Sequence, residues 1–149
     1  MQKRKSAPKK TATRPASRHA RSKKDQAVKQ PELKHIPWSE VELETLNPLL
    51  QRQFMVGHQI MLSRILLKAG CVVPLHSHHN EQISYVIEGS MVFSIDGREI
   101  VVKAGEVLAI PPHLPHQVEA LADSLSLDIF NPPREDWLSG ADQYLRTKK

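Results

Sequence analysis

Residues 70–116 read GCVVPLHSHHNEQISYVIEGSMVFSIDGREIVVKAGEVLAIPPHLPH, and the histidines of this stretch are spaced for metal binding. His76 and His78 are separated by one residue, so on a β-strand both imidazole rings lie on the same face. Gln82 follows four residues later, and His116 lies on a separate predicted strand. Imidazole suits zinc, copper, iron and nickel, and a carbonyl oxygen suits the harder divalent ions. If these strands lie side by side, three imidazoles and one amide oxygen converge on a single divalent metal ion.

Short apolar runs separated by turn residues surround the histidines and predict β-strands. The runs that we assign to strands are 59–67, 83–87, 91–95, 99–102, 107–110 and 124–130. The pair Asp96-Gly97 between two of these runs is typical of a two-residue hairpin. Asp128 and Phe130 share a face of the last run, and the alternation assigns that face to the cavity. Strands at turn-marked intervals of about ten residues indicate an all-β sandwich or barrel.

We divide the chain into four parts. They are a basic tail at 1–30, an N-terminal arm or edge strand at 31–53, a barrel at 54–134, and a C-terminal helix and tail at 135–149. In the last part, five residues at helical spacing predict a short helix that caps the outside of the barrel: Trp137, Leu138, Ala141, Tyr144 and Leu145. We assign its aromatic side chains to packing.

The positive charge of the chain belongs to its first thirty residues. Residues 1–30 hold eleven Lys or Arg and one Asp, a balance of +10, whereas residues 31–149 hold ten Lys or Arg and fifteen Asp or Glu, a balance of −5. A segment so rich in charge and so poor in apolar residues is expected to be disordered. It could contact nucleic-acid phosphates or serve as a transit peptide, but no aromatic residue is interleaved with the charges for base stacking.

Cysteine content and hydropathy indicate a cytoplasmic protein. The single cysteine, Cys71, excludes an internal disulfide, and its apolar neighbours favour a buried, inert thiol. No apolar run approaches the roughly 20 residues that a membrane-spanning helix needs. The N-terminus lacks the apolar segment of a secretory signal. We therefore expect no membrane association.

The spacing of glycines, prolines and ligands resembles the two sequence motifs of the cupins over roughly residues 50–131. The first motif corresponds to Gly70-x5-His76-x-His78-x3-Gln82-x6-Gly89, and the second to Gly105-x5-Pro111-x-His113-x2-His116. The resemblance implies a small jelly roll, or double-stranded β-helix, with a metal ion at one mouth of the barrel. Two positions depart from the pattern, because Gln82 replaces a Glu and His113 replaces a Gly. Glu81 is an alternative ligand, although it is expected to face the opposite side of the strand.

A narrower resemblance, to the KdgF group of small cupins, rests on three strings. They are Met61-Leu62-Ser63-Arg64, Glu81-Gln82-Ile83, and the run from Asp128 to Asp136. Members of that group convert a ring-closed 4,5-unsaturated uronate from pectin or alginate into its linear keto form. The resemblance implies a metal set of His76, His78, Gln82 and His116. It further implies catalytic roles for Asp128 and Arg134, and substrate contacts from Phe130 and Arg134.

Several alternatives remain open at this point. Asp128 and Arg134 could pair only with each other, and the site could instead serve an Fe-dependent dioxygenase or a non-catalytic module that binds a sugar or a metal. The ligand types accept Zn, Ni, Fe or Mn. The expected partner is a small sugar acid, and the apolar run at 60–67 together with the family resemblance favours a homodimer.

Overall fold

The computed structural model describes residues 31–146, which form ten strands, one short α-helix and two 3₁₀ turns. The strands are β1 (Glu44–Asn47), β2 (Leu50–Val56), β3 (Met61–Leu67), β4 (Val72–His76), β5 (Glu81–Glu88), β6 (Ser90–Ile95), β7 (Arg98–Lys103), β8 (Val107–Ile110), β9 (His116–Ala120) and β10 (Ser124–Asn131). The helix α1 spans Glu135–Ser139, and the 3₁₀ turns span Trp38–Glu40 and Gln143–Leu145. The predicted basic tail at 1–30 lies outside the described residues.

The strands form two antiparallel sheets that enclose the core. One sheet has the order β1-β2-β3-β10-β5-β8, and the other has the order β4-β9-β6-β7. Side chains alternate between the core and the outer surface along most strands, as β3 shows with Met61, Ser63, Ile65 and Leu67 all buried. This arrangement confirms the predicted all-β jelly roll.

The register of the strands brings the predicted ligands to the same end of the barrel. In the four-stranded sheet, His76 on β4 lies opposite His116 on β9. In the six-stranded sheet, Gln82 on β5 lies opposite Phe130 on β10. The two sheets therefore present their ligands toward each other across the interior.

Two turns depend on residues that tolerate a positive φ. Asp96 and Gly97 have φ of 51° and 71°, which matches the hairpin predicted between β6 and β7. Gly89, with φ of 80°, joins β5 to β6, and a Cβ at this position would lie 2.3 Å from the Asp123 carbonyl oxygen. Only glycine therefore fits between these strands without displacing β10.

The structure differs from the sequence-based boundaries at both ends of the barrel. Strand β1 and the first part of β2 lie within 31–53, the segment that we assigned to an arm or edge strand, and β1 is an edge strand of the six-stranded sheet. Leu46, Leu50 and Arg52 are buried, so the barrel begins before residue 54. The C-terminal helix ends at Ser139, since Gly140 adopts a left-handed conformation with φ of 72°. The chain then continues as an irregular segment instead of extending the predicted helix.

We call residues 135–146 the C-terminal strap. It is fastened to the barrel by a buried ion pair, in which Arg52 Nη1 lies 2.6 Å from Asp142 Oδ2 and both side chains are fully buried. Arg52 Nε also donates to Glu44, and Arg146 pairs with Asp142 from within the strap. Trp137 lies between the guanidinium groups of Arg52 and Arg134, whose Cζ atoms are 4.4 and 5.0 Å from its ring centroid.

The outer face of the six-stranded sheet carries exposed apolar side chains, including Ile83, Tyr85 and Val107. Such a face is compatible with the predicted homodimer, which stays a prediction. Within residues 31–146, the helices are too short to span a bilayer.

We predict that Asp142→Asn lowers the free energy of unfolding by about 3 kcal/mol, because the buried Arg52 guanidinium loses a carboxylate partner that water cannot replace. Urea unfolding monitored by circular dichroism measures the change. Lys68→Gln is the matched control, since the Lys68–Asp123 ion pair is exposed on both sides and its loss should leave the stability nearly unchanged. Equal effects of the two substitutions would contradict this account of the strap.

Candidate metal centre

Three histidines from two strands and one loop meet at the open end of the barrel. His76 ends β4, His78 lies in the loop that follows it, and His116 begins β9. One ring nitrogen of each lies within 4.8 Å of the corresponding nitrogens of the other two. The His76 and His116 ring centroids are 4.3 Å apart, and His78 lies 5.7 and 5.2 Å from them. This spacing allows a single ion to contact all three.

A backbone carbonyl oxygen lies within hydrogen-bond distance of Nδ1 in each of the three rings. The Nδ1 atoms of His76, His78 and His116 lie 2.8, 3.0 and 2.8 Å from the carbonyl oxygens of Pro74, Asn80 and Leu114. A carbonyl oxygen only accepts hydrogen bonds, so each Nδ1 carries the proton and each Nε2 keeps its lone pair. Metal-binding histidines are commonly held in this way.

Two further observations fit a metal ion. Among residues 31–146, His116 Nε2 is buried without a hydrogen-bond partner, which is unfavourable unless another group occupies its lone pair. Gln82 Oε1 lies 3.1 Å from His78 Nε2, so two atoms that both accept hydrogen bonds face each other. A cation between them removes the conflict, and the donor set of imidazoles and one carbonyl oxygen suits a divalent ion.

The amide group of Gln82 is oriented by its own donor. Its Nε2 donates to Ser84 Oγ at 2.9 Å and lies 3.5 Å from Asp128 Oδ2. The carbonyl oxygen is thereby directed toward the histidines. Gln82 is buried on the inner face of β5, whereas its neighbour Glu81 is exposed on the outer face and does not reach the histidines.

Burial keeps the histidines neutral at physiological pH. Loss of solvent is the largest influence and lowers the pKa of His76 and of His78 to about 4, with the positive charge of Arg134 acting in the same direction. Burial likewise lowers the pKa of His116. Neutral imidazoles have lone pairs available for a metal ion without first losing a proton.

Asp128 lies on β10 beside this ligand set. Its Oδ1 accepts a hydrogen bond from Ser126 Oγ at 2.7 Å. Burial raises the pKa of the Asp128 carboxyl, while the hydrogen bonds from Ser126 and Ser84 oppose the shift. Part of Asp128 contacts solvent, but the residue lies in the wall of the cavity. The loss of water around its carboxyl group outweighs the hydrogen bonds, so the pKa is raised.

Arg134 is almost fully buried and is held mainly by Asp136. Its Nε and Nη2 atoms lie 2.9 and 2.8 Å from the two carboxylate oxygens of Asp136, and Nη2 lies 2.6 Å from the Tyr144 hydroxyl. The alternative in which Arg134 pairs only with Asp128 is therefore not observed. The guanidinium lies over Phe130, 5.1 Å from the ring centroid.

A cavity of about 50 Å³ connects these groups, and its wall includes His76, Gln82, His116, Asp128, Phe130, Arg134 and Tyr144.

His113 lies outside this cavity on an exposed turn, where its backbone N–H donates to the His78 carbonyl oxygen at 2.7 Å. Sequence reasoning assigned Tyr144 to packing and gave no role to Ser84 or Ser126. The two serines could have been found, because the period-two alternation places them on the same faces as Gln82 and Asp128.

The chain is similar to several known proteins. A family model described as a cupin domain matches residues 63–130. The pectin degradation protein KdgF of Dickeya dadantii is 28% identical over 105 residues, which cover 68% of this chain and 91% of that protein. Three other curated relatives are matched over 63%, 26% and 60% of their lengths, so the chain spans less than two thirds of each.

The chain is also similar in fold to solved structures, of which two examples exceed 25% identity. An RmlC-like cupin from Shewanella frigidimarina is 31% identical with a TM-score of 0.66, covering 72% of this chain and 98% of the other. KdgF from Halomonas sp. is 27% identical with a TM-score of 0.67, covering 71% of this chain and 99% of the other.

We predict that the purified protein contains about one divalent ion per chain and that His116→Ala abolishes this content, as elemental analysis would show. Gln82→Ala should weaken metal affinity by at least the roughly 10–100-fold that is lost when a residue supporting a ligand is removed, because Gln82 is itself a proposed ligand. His113→Ala is the matched control, because His113 lies on the exposed turn outside the cluster. Equal metal content in all three variants would exclude this site.

We also predict that the metal-free protein loses stability as the pH falls from 7 to 5. The pKa of His76 and of His78 is about 4 in the folded state and 6.5 ordinarily, so between these values the unfolded chain binds more protons. Stability therefore increases with pH, by about 1–2 kcal/mol for each histidine over this interval.

Urea unfolding in the presence of a chelator tests this dependence. The double variant His76→Asn, His78→Asn should show a smaller change between pH 7 and pH 5. Asp128 is present in both proteins, so its own, opposite contribution cancels in the comparison. Identical pH dependence of the two proteins would contradict the prediction.

Proposed function

The chain belongs to the cupin family, and on this premise we propose that it is a metal-dependent enzyme that opens a ring-closed 4,5-unsaturated uronate to its linear keto form. The proposal is supported by the similarity to two KdgF proteins over nearly their whole lengths. The curated name of one of them refers to pectin degradation, and uronates are the acidic sugars of pectin.

The observation that carries the proposal is a buried carboxyl beside a ligand set with no negative charge. Three neutral imidazoles and one amide oxygen make up that set, and Asp128 Oδ2 lies 3.5 Å from the Gln82 amide nitrogen. Asp128 does not belong to the ligand cluster, so its carboxyl stays available for proton transfer. A Glu in place of Gln82 would bring a second carboxylate close to Asp128.

The proposed reaction is an isomerisation that requires no oxidant or reductant. A proton leaves the anomeric hydroxyl, the bond between the anomeric carbon and the ring oxygen breaks, and a proton is added to carbon 4 as the resulting enol becomes a ketone. A divalent ion bound by His76, His78, Gln82 and His116 would act as a Lewis acid toward substrate oxygens.

Asp128 is the group that we assign to the proton transfers. Its carboxylate accepts the hydroxyl proton, and the resulting carboxylic acid donates a proton to the enol carbon. Burial raises the pKa of Asp128 and thereby eases protonation of the carboxylate. Ser126 and Ser84 hold the carboxyl in place by hydrogen bonds.

Arg134 provides the positive charge for the substrate carboxylate. Asp136 occupies its Nε and one hydrogen of Nη2, so Nη1 is the donor that remains for a substrate oxygen. Arg134 lies close enough to the site to lower the pKa of all three histidines. Phe130 forms an apolar floor beneath the guanidinium.

We predict that Asp128→Asn lowers kcat for the unsaturated uronate about 100-fold or more, because a carboxamide cannot exchange the proton. The loss of the substrate's ultraviolet absorbance measures the rate, and elemental analysis should show unchanged metal content. Glu81→Gln is the matched control, since this carboxylate is adjacent to Gln82 but lies on the outer face.

The same assay separates the alternative functions. If metal-loaded wild-type protein leaves the absorbance unchanged, the proposal fails. Oxygen uptake with a candidate substrate would instead identify a dioxygenase. Tight binding of the uronate without turnover would identify a sugar-binding module.

A further inference from the structure

Tyr144 contacts both a metal-site histidine and the cationic group of the site. Its ring stacks on the His76 ring, with centroids 4.9 Å apart and an angle of 28° between the planes. Its hydroxyl oxygen lies 2.6 Å from Arg134 Nη2. A single side chain of the C-terminal strap thus bridges the candidate metal ligand and the candidate carboxylate-binding residue.

The stacking places a residue of the C-terminal strap against the His76 imidazole. His76 is the last residue of β4, and it is less buried than His116. Its Nδ1 hydrogen bond to Pro74 leaves the ring plane free to tilt about that bond. Tyr144 and His116 flank the ring, with centroids 4.9 and 4.3 Å away. Tyr144 therefore limits this tilt.

The hydroxyl group completes the restraint on Arg134. The guanidinium is already held by Asp136 and by packing against Phe130 and Trp137. The Tyr144 oxygen accepts the remaining hydrogen of Nη2, so among the described residues Nη1 alone has no hydrogen-bond partner. Nη1 is therefore the nitrogen of this cavity-lining residue that remains available to a ligand.

The strap is itself fixed, which makes Tyr144 a rigid element. Asp142, two residues earlier, forms the buried ion pair with Arg52. Leu145 is buried in the core, and its carbonyl oxygen accepts a hydrogen bond from Asn47 Nδ2 at 3.0 Å. Tyr144 is consequently held in position by the anchored residues on either side of it, Asp142 and Leu145.

We propose that Tyr144 is a positioning residue, whose ring sets the plane of His76 and whose hydroxyl sets the direction of Arg134 toward an anionic sugar. The His76 part concerns metal binding alone, whereas the Arg134 part rests on the proposed function. The two parts predict different consequences for two substitutions of the same residue.

The experiment compares Tyr144→Phe and Tyr144→Leu with the wild type. Cobalt(II) affinity and the visible spectrum of the cobalt-loaded protein report on His76. Binding of glucuronate, with glucose as the uncharged comparison, reports on Arg134. Tyr85→Phe is the matched control, because Tyr85 is exposed on the outer face of β5, and Tyr85 and Tyr144 are the two tyrosines of the chain. Circular dichroism verifies that each variant is folded.

We expect Tyr144→Phe to keep the cobalt affinity and spectrum while weakening glucuronate binding about tenfold, because the ring remains and the hydroxyl is lost. Tyr144→Leu should in addition weaken cobalt binding about tenfold and shift the spectrum. Tyr85→Phe should change neither. Unchanged glucuronate binding in Tyr144→Phe, or unchanged cobalt affinity and spectrum in Tyr144→Leu, would overturn the corresponding part.

These outcomes are separable from the fate of the proposed function. A wild type that turns over the unsaturated uronate while the Tyr144 variants match it in every readout would reject the positioning role alone. A wild type without turnover, whose cobalt spectrum still changes in Tyr144→Leu, would reject the uronate reaction and retain the role of Tyr144 at His76.

Discussion

The hydrogen bonds from three imidazole Nδ1 atoms to backbone carbonyls determine what this site can do. They assign the proton of each ring to the atom that faces the backbone and direct three Nε2 lone pairs toward one point. The carbonyl partners of His76 and His116 lie two residues earlier in the chain, and that of His78 lies two residues later. The position of the proton on each ring is therefore set by the local backbone, whereas the plane of the His76 ring also depends on its contact with Tyr144.

Around this centre the charges are arranged so that the ligands stay neutral. Arg134 disfavours protonation of the histidines, and Gln82 adds an oxygen without adding a charge. The negative groups near the site have separate partners, since Asp136 pairs with Arg134 and Asp128 accepts hydrogen bonds from serines. An ion held here would keep its full positive charge, which favours anionic ligands.

The barrel and the members of the histidine cluster could be predicted from the sequence, because strand alternation, turn residues and motif spacing are local features. The alternation along 124–130 and the Asp96-Gly97 turn reflect a period of two and a backbone preference, and the structure agrees with both. His76 and His78 do meet in one cluster, but His78 lies in the loop after β4 and not on the same strand, so the predicted pairing on one strand face was wrong. The role of the strap could not be predicted in this way. Tyr144 reaches His76 only because Gly140 ends the helix early and Asp142 pairs with Arg52, a contact between residues ninety positions apart. Helical periodicity carries no information about either event.

The anchoring of the strap has a consequence for modularity. The residues that match the cupin family model, 63–130, include all four proposed metal ligands, but neither Arg52 on β2 nor Tyr144 on the strap. One wall of the site cavity therefore comes from two segments that flank the matched region, β2 and the C-terminal strap, which are joined by the Arg52–Asp142 ion pair. A chimaera that receives only the ligand-bearing strands would have the proposed metal ligands but not this wall. To keep the wall, it must also receive both β2 and the C-terminal strap, because each holds the other in place.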